Sequence, residues 1–243
     1  MSEGLGHKRS ERTRVDAGSD RTAPPIASRP EERVAARAVN PRLGATVAVT
    51  GSASNAGKTW LGERVIEALV RNGIPTAALK VTRTHVARCP RDHDACGVCD
   101  GLEKPFDLVR DDAVLAMPKK DTGRYLRAGA QPVRWLIVQP GSVRAGVLAA
   151  LAEFDGGRVL VAEGNSFRDY VEPELTLMML SDRHALKESA RCLLERVDAF
   201  VCREAAQAHF RAEFGELLAR RPLLAPDDAA PFVVARLEAG GFR

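Results

Sequence analysis

Residues 47–61 read VAVTGSASNAGKTWL, and this stretch limits the possible folds more than any other in the chain. An apolar run stops at Gly51, small residues follow, and Gly57-Lys58-Thr59 opens a segment with helical spacing. A strand that turns through such a loop into a helix is an arrangement for holding phosphate. Glycines let backbone N–H groups point inward, and the helix N-terminus adds partial positive charge. A lysine reaches the β/γ-phosphates and a hydroxyl ligates Mg²⁺. On this reading Lys58 is the phosphate lysine and Thr59 the Mg²⁺ ligand, while Gly51, Ser52, Asn55, Ala56 and Gly57 form the cradle. The spacing is one residue longer than the usual G-x-x-x-x-G-K-[ST]. Ser52 occupies the place of the first glycine, which stands instead at Gly51. The alternative is an ordinary strand-to-helix turn that contains Gly-Lys-Thr; the flanking strand and helix favour phosphate.

Periodicity along the chain supplies the setting. Strands are expected at 45–50, 75–81, 133–139, 158–164, 175–181 and 198–201. Helices are expected at 58–73, 121–129, 143–154, 184–196, 205–220 and 227–238, and residues 82–118 show no clear period. Strands alternating with helices predict an α/β fold, a mostly parallel sheet flanked by helices. The 243 residues suffice for one such core, assigned to 43–243. Residues 1–42 have no apolar period and are rich in Arg, Ser, Ala and Pro, so a disordered N-terminal tail is expected there.

Charge narrows the partners. Nine Lys/Arg and six acids fall within residues 1–43, leaving the folded part nearly neutral within a total of +4. With 5% aromatic residues there is little to stack bases on, so a nucleic-acid partner is not expected. No stretch reaches the roughly 20 apolar residues of a membrane span. No secretory h-region is present either, so a cytoplasmic setting is expected.

A second motif makes the first more specific. Residues 118–130 read PKKDTGRYLRAGA. This segment resembles the G-K-D-S-x-R-x-x-x-A-G-A stretch of the molybdopterin-guanine dinucleotide accessory proteins (MobB type). Lys120, Asp121, Thr122, Arg124, Ala128, Gly129 and Ala130 match, and Lys119 replaces the glycine. LKVTRTH at 79–85 and VLVAEG at 159–164 fall where that family has strands ending in Lys and His and in Glu-Gly. The longer loop spacing is similar to that of dethiobiotin synthetase. Both belong to a class of P-loop NTPases (SIMIBI-like) with mostly parallel sheets, many of which work as dimers. The resemblance spans roughly residues 46–182. It implies binding of GTP (or ATP) with Mg²⁺, a homodimer, and a molybdopterin nucleotidyl transferase as partner. It places Lys120 and Arg124 near the nucleotide, with Lys58, Asp121 and Glu163 as catalytic residues. Read from the residues alone, Asp121 and Thr122 either cap a surface helix or bring a carboxylate towards Mg²⁺. Glu163 either faces solvent at a strand end or holds the Mg²⁺ shell and orients water. The N-K-x-D signature that reads guanine in many GTPases is absent from the chain.

Three of the five cysteines form a cluster that departs from that family. Cys89, Cys96 and Cys99 follow C-x6-C-x2-C beside His85 and His93, within a cysteine-rich insertion at 83–105. The C-x2-C half-site suits tetrahedral zinc; an Fe–S cluster or unliganded thiols are the alternatives. Cys192 and Cys202 lie in apolar contexts and are expected in the core. Asn165, Ser166 and Arg168 follow Glu163 and line the site mouth or form a plain loop; Lys187 could reach a phosphate but is expected to be a solvated helical lysine.

The functional expectation is an accessory GTPase of molybdopterin-guanine dinucleotide biosynthesis with an added metal-binding cluster. An ATP-dependent ligase or carboxylase of dethiobiotin-synthetase type and a nucleotide-gated metallochaperone are the alternatives.

Overall fold

The strand before the glycine loop is buried along its whole length, and the fold is built outward from it. The computed structural model describes residues 33–84, 102–182 and 186–242. The chain enters through a short strand β1 (Val34–Ala35) and a helical turn α1 (Ala36–Val39). The buried strand β2 (Ala45–Gly51) and helix α2 (Lys58–Arg71) follow. Next come β3 (Thr76–Arg83), β4 (Phe106–Val109), α3 (Asp112–Leu115), α4 (Asp121–Arg127), β5 (Val133–Val138) and α5 (Val143–Leu151). The middle of the chain supplies β6 (Val159–Glu163), α6 (Phe167–Tyr170), β7 (Val171–Glu172), β8 (Leu175–Met179) and α7 (Glu188–Arg191). The last part contains β9 (Ala199–Val201), α8 (Glu204–Glu213), α9 (Gly215–Leu218), β10 (Leu223–Leu224) and α10 (Ala229–Ala239).

Eight strands form one sheet in the order β10-β9-β8-β2-β6-β3-β5-β4, parallel throughout except for antiparallel β4 at the edge. The expected α/β fold with a mostly parallel sheet flanked by helices is therefore observed. Apolar runs without alternation, such as ATVAV, belong to strands covered on both faces. Side chains still alternate between two layers. Val47, Val49, Val159 and Val161 pack with α2 and α10, whereas Ala48, Leu79, Leu160 and Ala162 pack with α1, α5 and Phe167. Leu61, Val65, Ile66 and Leu69 of α2 are fully buried, and each contributes on the order of 1.5–3 kcal/mol. Among the described residues no helix is long and apolar enough to cross a membrane.

Four differences from the sequence expectation have physical reasons. Residues 33–42 belong to the fold rather than to a disordered tail: β1 pairs with β7, and Ala36 and Leu43 are buried. Two-residue strands carry too little pattern to read; residues 1–32 lie outside the described residues. Of the helix expected at 184–196, the described residues show α7 and a 3-10 turn at Leu194–Arg196; Lys187 stands outside α7 in extended geometry, its N–H on the Ser52 carbonyl at 3.0 Å. Helix 205–220 breaks where Phe214 leaves helical geometry ahead of Gly215, a weak helix former. Finally, β4 rises from the stretch without a period, since four residues with one carboxylate make a short edge strand.

Candidate functional site

The loop at 51–57 leaves the carboxyl end of β2 at the centre of the sheet, where parallel α/β folds place their ligand crevices. The Lys58 side chain folds back over it. Its Nζ donates to the Ala53 carbonyl at 3.1 Å, and its stem crosses Gly51 so closely that a Cβ there would lie 2.8 and 2.9 Å from Cγ and Cδ. That approach explains why the glycine stands at 51. Gly57 precedes the helix with φ +101, the left-handed region open to glycine. Asn165 brackets Gly51 from the next strand: its Oδ1 accepts from the Gly51 N–H and its Nδ2 donates to the Gly51 carbonyl, both at 3.0 Å. Asn165 is thus an interior brace of the loop.

Ser52 has a structural task that explains its place in the longer spacing. Its N–H bonds the Met179 carbonyl at 2.9 Å, and its Oγ accepts from the Ser181 N–H at 2.7 Å. Both residues are buried. Ser52→Ala leaves the Ser181 N–H without this acceptor and is expected to cost about 1–3 kcal/mol in denaturant unfolding. A loss below about 0.5 kcal/mol would show that water replaces the hydroxyl.

A polar network stands at the start of α2. Lys80 and Glu163 are direct register partners on β3 and β6 and share the α2 face, because alternate residues Ala78 and Val161 do. One Glu163 oxygen accepts from Lys80; the other accepts from Thr59 Oγ1 at 3.1 Å and from the Tyr125 hydroxyl. Asp121, at the start of α4, pairs with Lys80 at 2.7 Å. Glu163 and Tyr125 are almost fully buried. Burial opposes the charge on Lys80, but Glu163 and Asp121 outweigh it and hold its pKa above the ordinary value. For Asp121 burial is likewise outweighed, by Lys80, and its carboxyl is held below its usual value. Burial and the Glu163 carboxylate push the Tyr125 phenol well above its usual range, so it stays a donor. Lys58 goes the other way: burial and the charge of Lys187 lower it to about 8, against a partial offset from Glu163.

Lys58, Thr59, Asp121 and Glu163, read as one site from the sequence, thus converge. Lys120 and Arg124, which flank Asp121, have partners of their own. The Lys120 ammonium lies 4.6 Å from the Trp135 ring centre, and Arg124 is paired with Glu63 of α2. Lys119, where the resembling segment has glycine, adopts φ +69, a conformation glycine reaches without strain. Arg168 is buried against the Val171 and Arg196 carbonyls and Glu172, so it serves the fold and not the mouth. Cys202 is buried as expected, whereas Cys192 is exposed on the surface beyond α7. Cys89, Cys96, Cys99, His85 and His93 lie outside the described residues.

Lys80 and Tyr125 belong to this network although the sequence reading gave them no role in it, and Lys187, expected to be solvated rather than to reach a phosphate, is half-buried near Lys58. Lys80 is a lone charge in the apolar strand TAALKV, and Tyr125 stands four residues after Asp121 on one helix face. A cavity of about 270 Å³ adjoins the loop, lined by Asn55, Ala56, residues 179–182 and Arg203. Asn55 meets it in the left-handed conformation, φ +58.

No protein-family model matches the chain, and no curated protein sequence matches it.

Proposed function

We propose that the chain is a P-loop nucleotide-binding protein of the SIMIBI-like class. In this reading it resembles the accessory GTPase of molybdopterin-guanine dinucleotide biosynthesis. The observation that carries the proposal is the loop at 51–57. It sits between the central parallel strand and a helix that begins Lys58-Thr59, with Thr59 bonded to a buried strand-end glutamate. The backbone N–H groups of the loop and the start of α2 would bind phosphate oxygens, and Lys58 would exchange its Ala53 contact for them. The cavity beside Asn55 is the seat we assign to base and ribose.

Thr59, Asp121 and Glu163 offer oxygen donors, the type Mg²⁺ takes, so the residues fit that ion. Among the described residues no group of three or more His, Cys, Asp or Glu gathers to hold a metal alone. Phosphate and water oxygens would complete the shell, and Mg²⁺ would supply neutralisation of phosphate charge. Lys80 fixes the two carboxylates, and Glu163 orients the Thr59 hydroxyl. Zinc or an Fe–S cluster at the cysteines, a homodimer and a nucleotidyl-transferase partner follow from sequence and resemblance alone. The ATP-dependent ligase reading draws on the same loop.

Equilibrium binding of GTP and ATP with Mg²⁺ tests the proposal. GTP preference favours the accessory-GTPase reading, ATP preference the ligase reading, and binding of neither overturns both. The pH dependence adds a check. Free Lys58 loses its proton near pH 8. A bound phosphate favours the charged form, so binding above about pH 8 takes up a proton and weakens as pH rises. Calorimetry in buffers of different ionisation enthalpy should show that uptake at pH 9 and little at pH 7.

A further inference from the structure

Ser52 bonds the backbone at both Ser181 and Lys187. Its Oγ takes the Ser181 N–H at 2.7 Å, and its carbonyl takes the Lys187 N–H at 3.0 Å. Two residues further on, Ser189 Oγ lies 3.4 Å from Asn165 Nδ2, the amide that brackets Gly51. The start of α7 is therefore tied to the glycine loop by backbone and by side chain, and it delivers Lys187 there. Lys187 is half-buried, and its side chain makes no hydrogen bond or ion pair with any described residue. Burial and the neighbouring Arg83, at the end of β3, both oppose its charge. Lys187 is also the strongest like-charge opponent of Lys58.

A half-buried ammonium without a counter-charge is costly, and two that face one loop are costlier still. Lys80 is neutralised by Glu163 and Asp121; the same two carboxylates offset the cost at Lys58 only in part, and Lys187 makes no ion pair with a described carboxylate. An anion supplies what is missing, and it must be one that extends past the reach of Lys58 alone. We propose that Lys187 is a second phosphate ligand of this site, contacting the terminal phosphate of a nucleoside triphosphate from the α7 side while Lys58 reaches it from α2. Arg83 adds positive potential behind Lys187. The inference rests on the nucleotide-binding reading and gives that site its selectivity: a triphosphate engages both lysines, whereas a diphosphate engages Lys58 alone.

The test measures Mg²⁺-nucleotide affinities of the full chain for GTP and GDP, and for ATP and ADP, in wild type, Lys187→Gln and Lys187→Arg. Lys187→Gln should weaken triphosphate binding at least about tenfold and diphosphate binding less than about twofold, with a melting temperature that holds or rises. Lys187→Arg should restore most of the difference. Equal weakening of both nucleotides, or triphosphate affinity within about twofold of wild type, overturns the role of Lys187 while leaving the loop reading intact. Wild-type protein that binds neither nucleotide removes the loop reading itself, and this inference with it.

Discussion

Lys58→Ala is expected to weaken nucleotide binding by about 100-fold or more, the loss of roughly 3 kcal/mol of charge-assisted phosphate contact. The same substitution should leave the free protein folded and no less stable. Among the described residues the ammonium hydrogen-bonds only the Ala53 carbonyl, and burial and Lys187 both work against its charge, which lowers its pKa to about 8. A functional residue that the fold does not need, and electrostatically opposes, has this signature: binding collapses while melting temperature holds or rises. Lys58→Met separates the charge from the stem that covers Gly51 and should behave like alanine in binding. Undiminished affinity in either variant would remove Lys58 from the phosphate site.

Glu163→Ala is expected to do the reverse and damage the fold itself. Three donors converge on this buried carboxylate: Lys80, Tyr125 and Thr59. Its removal leaves the Tyr125 hydroxyl deeply buried without this acceptor and withdraws one of the two carboxylates that neutralise Lys80, whose side chain is 16% exposed. Breaking a buried pair by deleting one partner costs about 3–5 kcal/mol, and the surviving Asp121 contact puts the expectation at the lower end. Glu163→Gln retains the volume and one acceptor oxygen, so it should recover about half of the loss. Denaturant unfolding of the two variants decides the matter; a cost below about 1 kcal/mol for alanine would mean that water takes over the role of the carboxylate. Under the proposed function both variants also lose Mg²⁺-dependent hydrolysis.

The loop, its strand and its helix were legible because their signals are local. An uninterrupted apolar run marks a strand covered on both faces, and a glycine followed by Gly-Lys-Thr marks the turn into the helix. Glu163 and Asp121 were legible as an acid at a strand end and an acid at a helix start. What the sequence did not contain is distance. Lys80 meets Glu163 only because β6 inserts between β2 and β3, which sets residues 83 apart in register. Lys120 and Arg124 share a motif with Asp121, yet the geometry of α4 turns them to Trp135 and Glu63. Lys187 read as a solvated helical residue, and its meeting with the loop depends on a backbone hydrogen bond to a residue 135 positions earlier. Local pattern therefore determined the elements and the glycine loop, since hydrophobic period and turn chemistry act over a few residues. Strand order and register decided which charges face that loop, since those come from packing between segments remote in the chain.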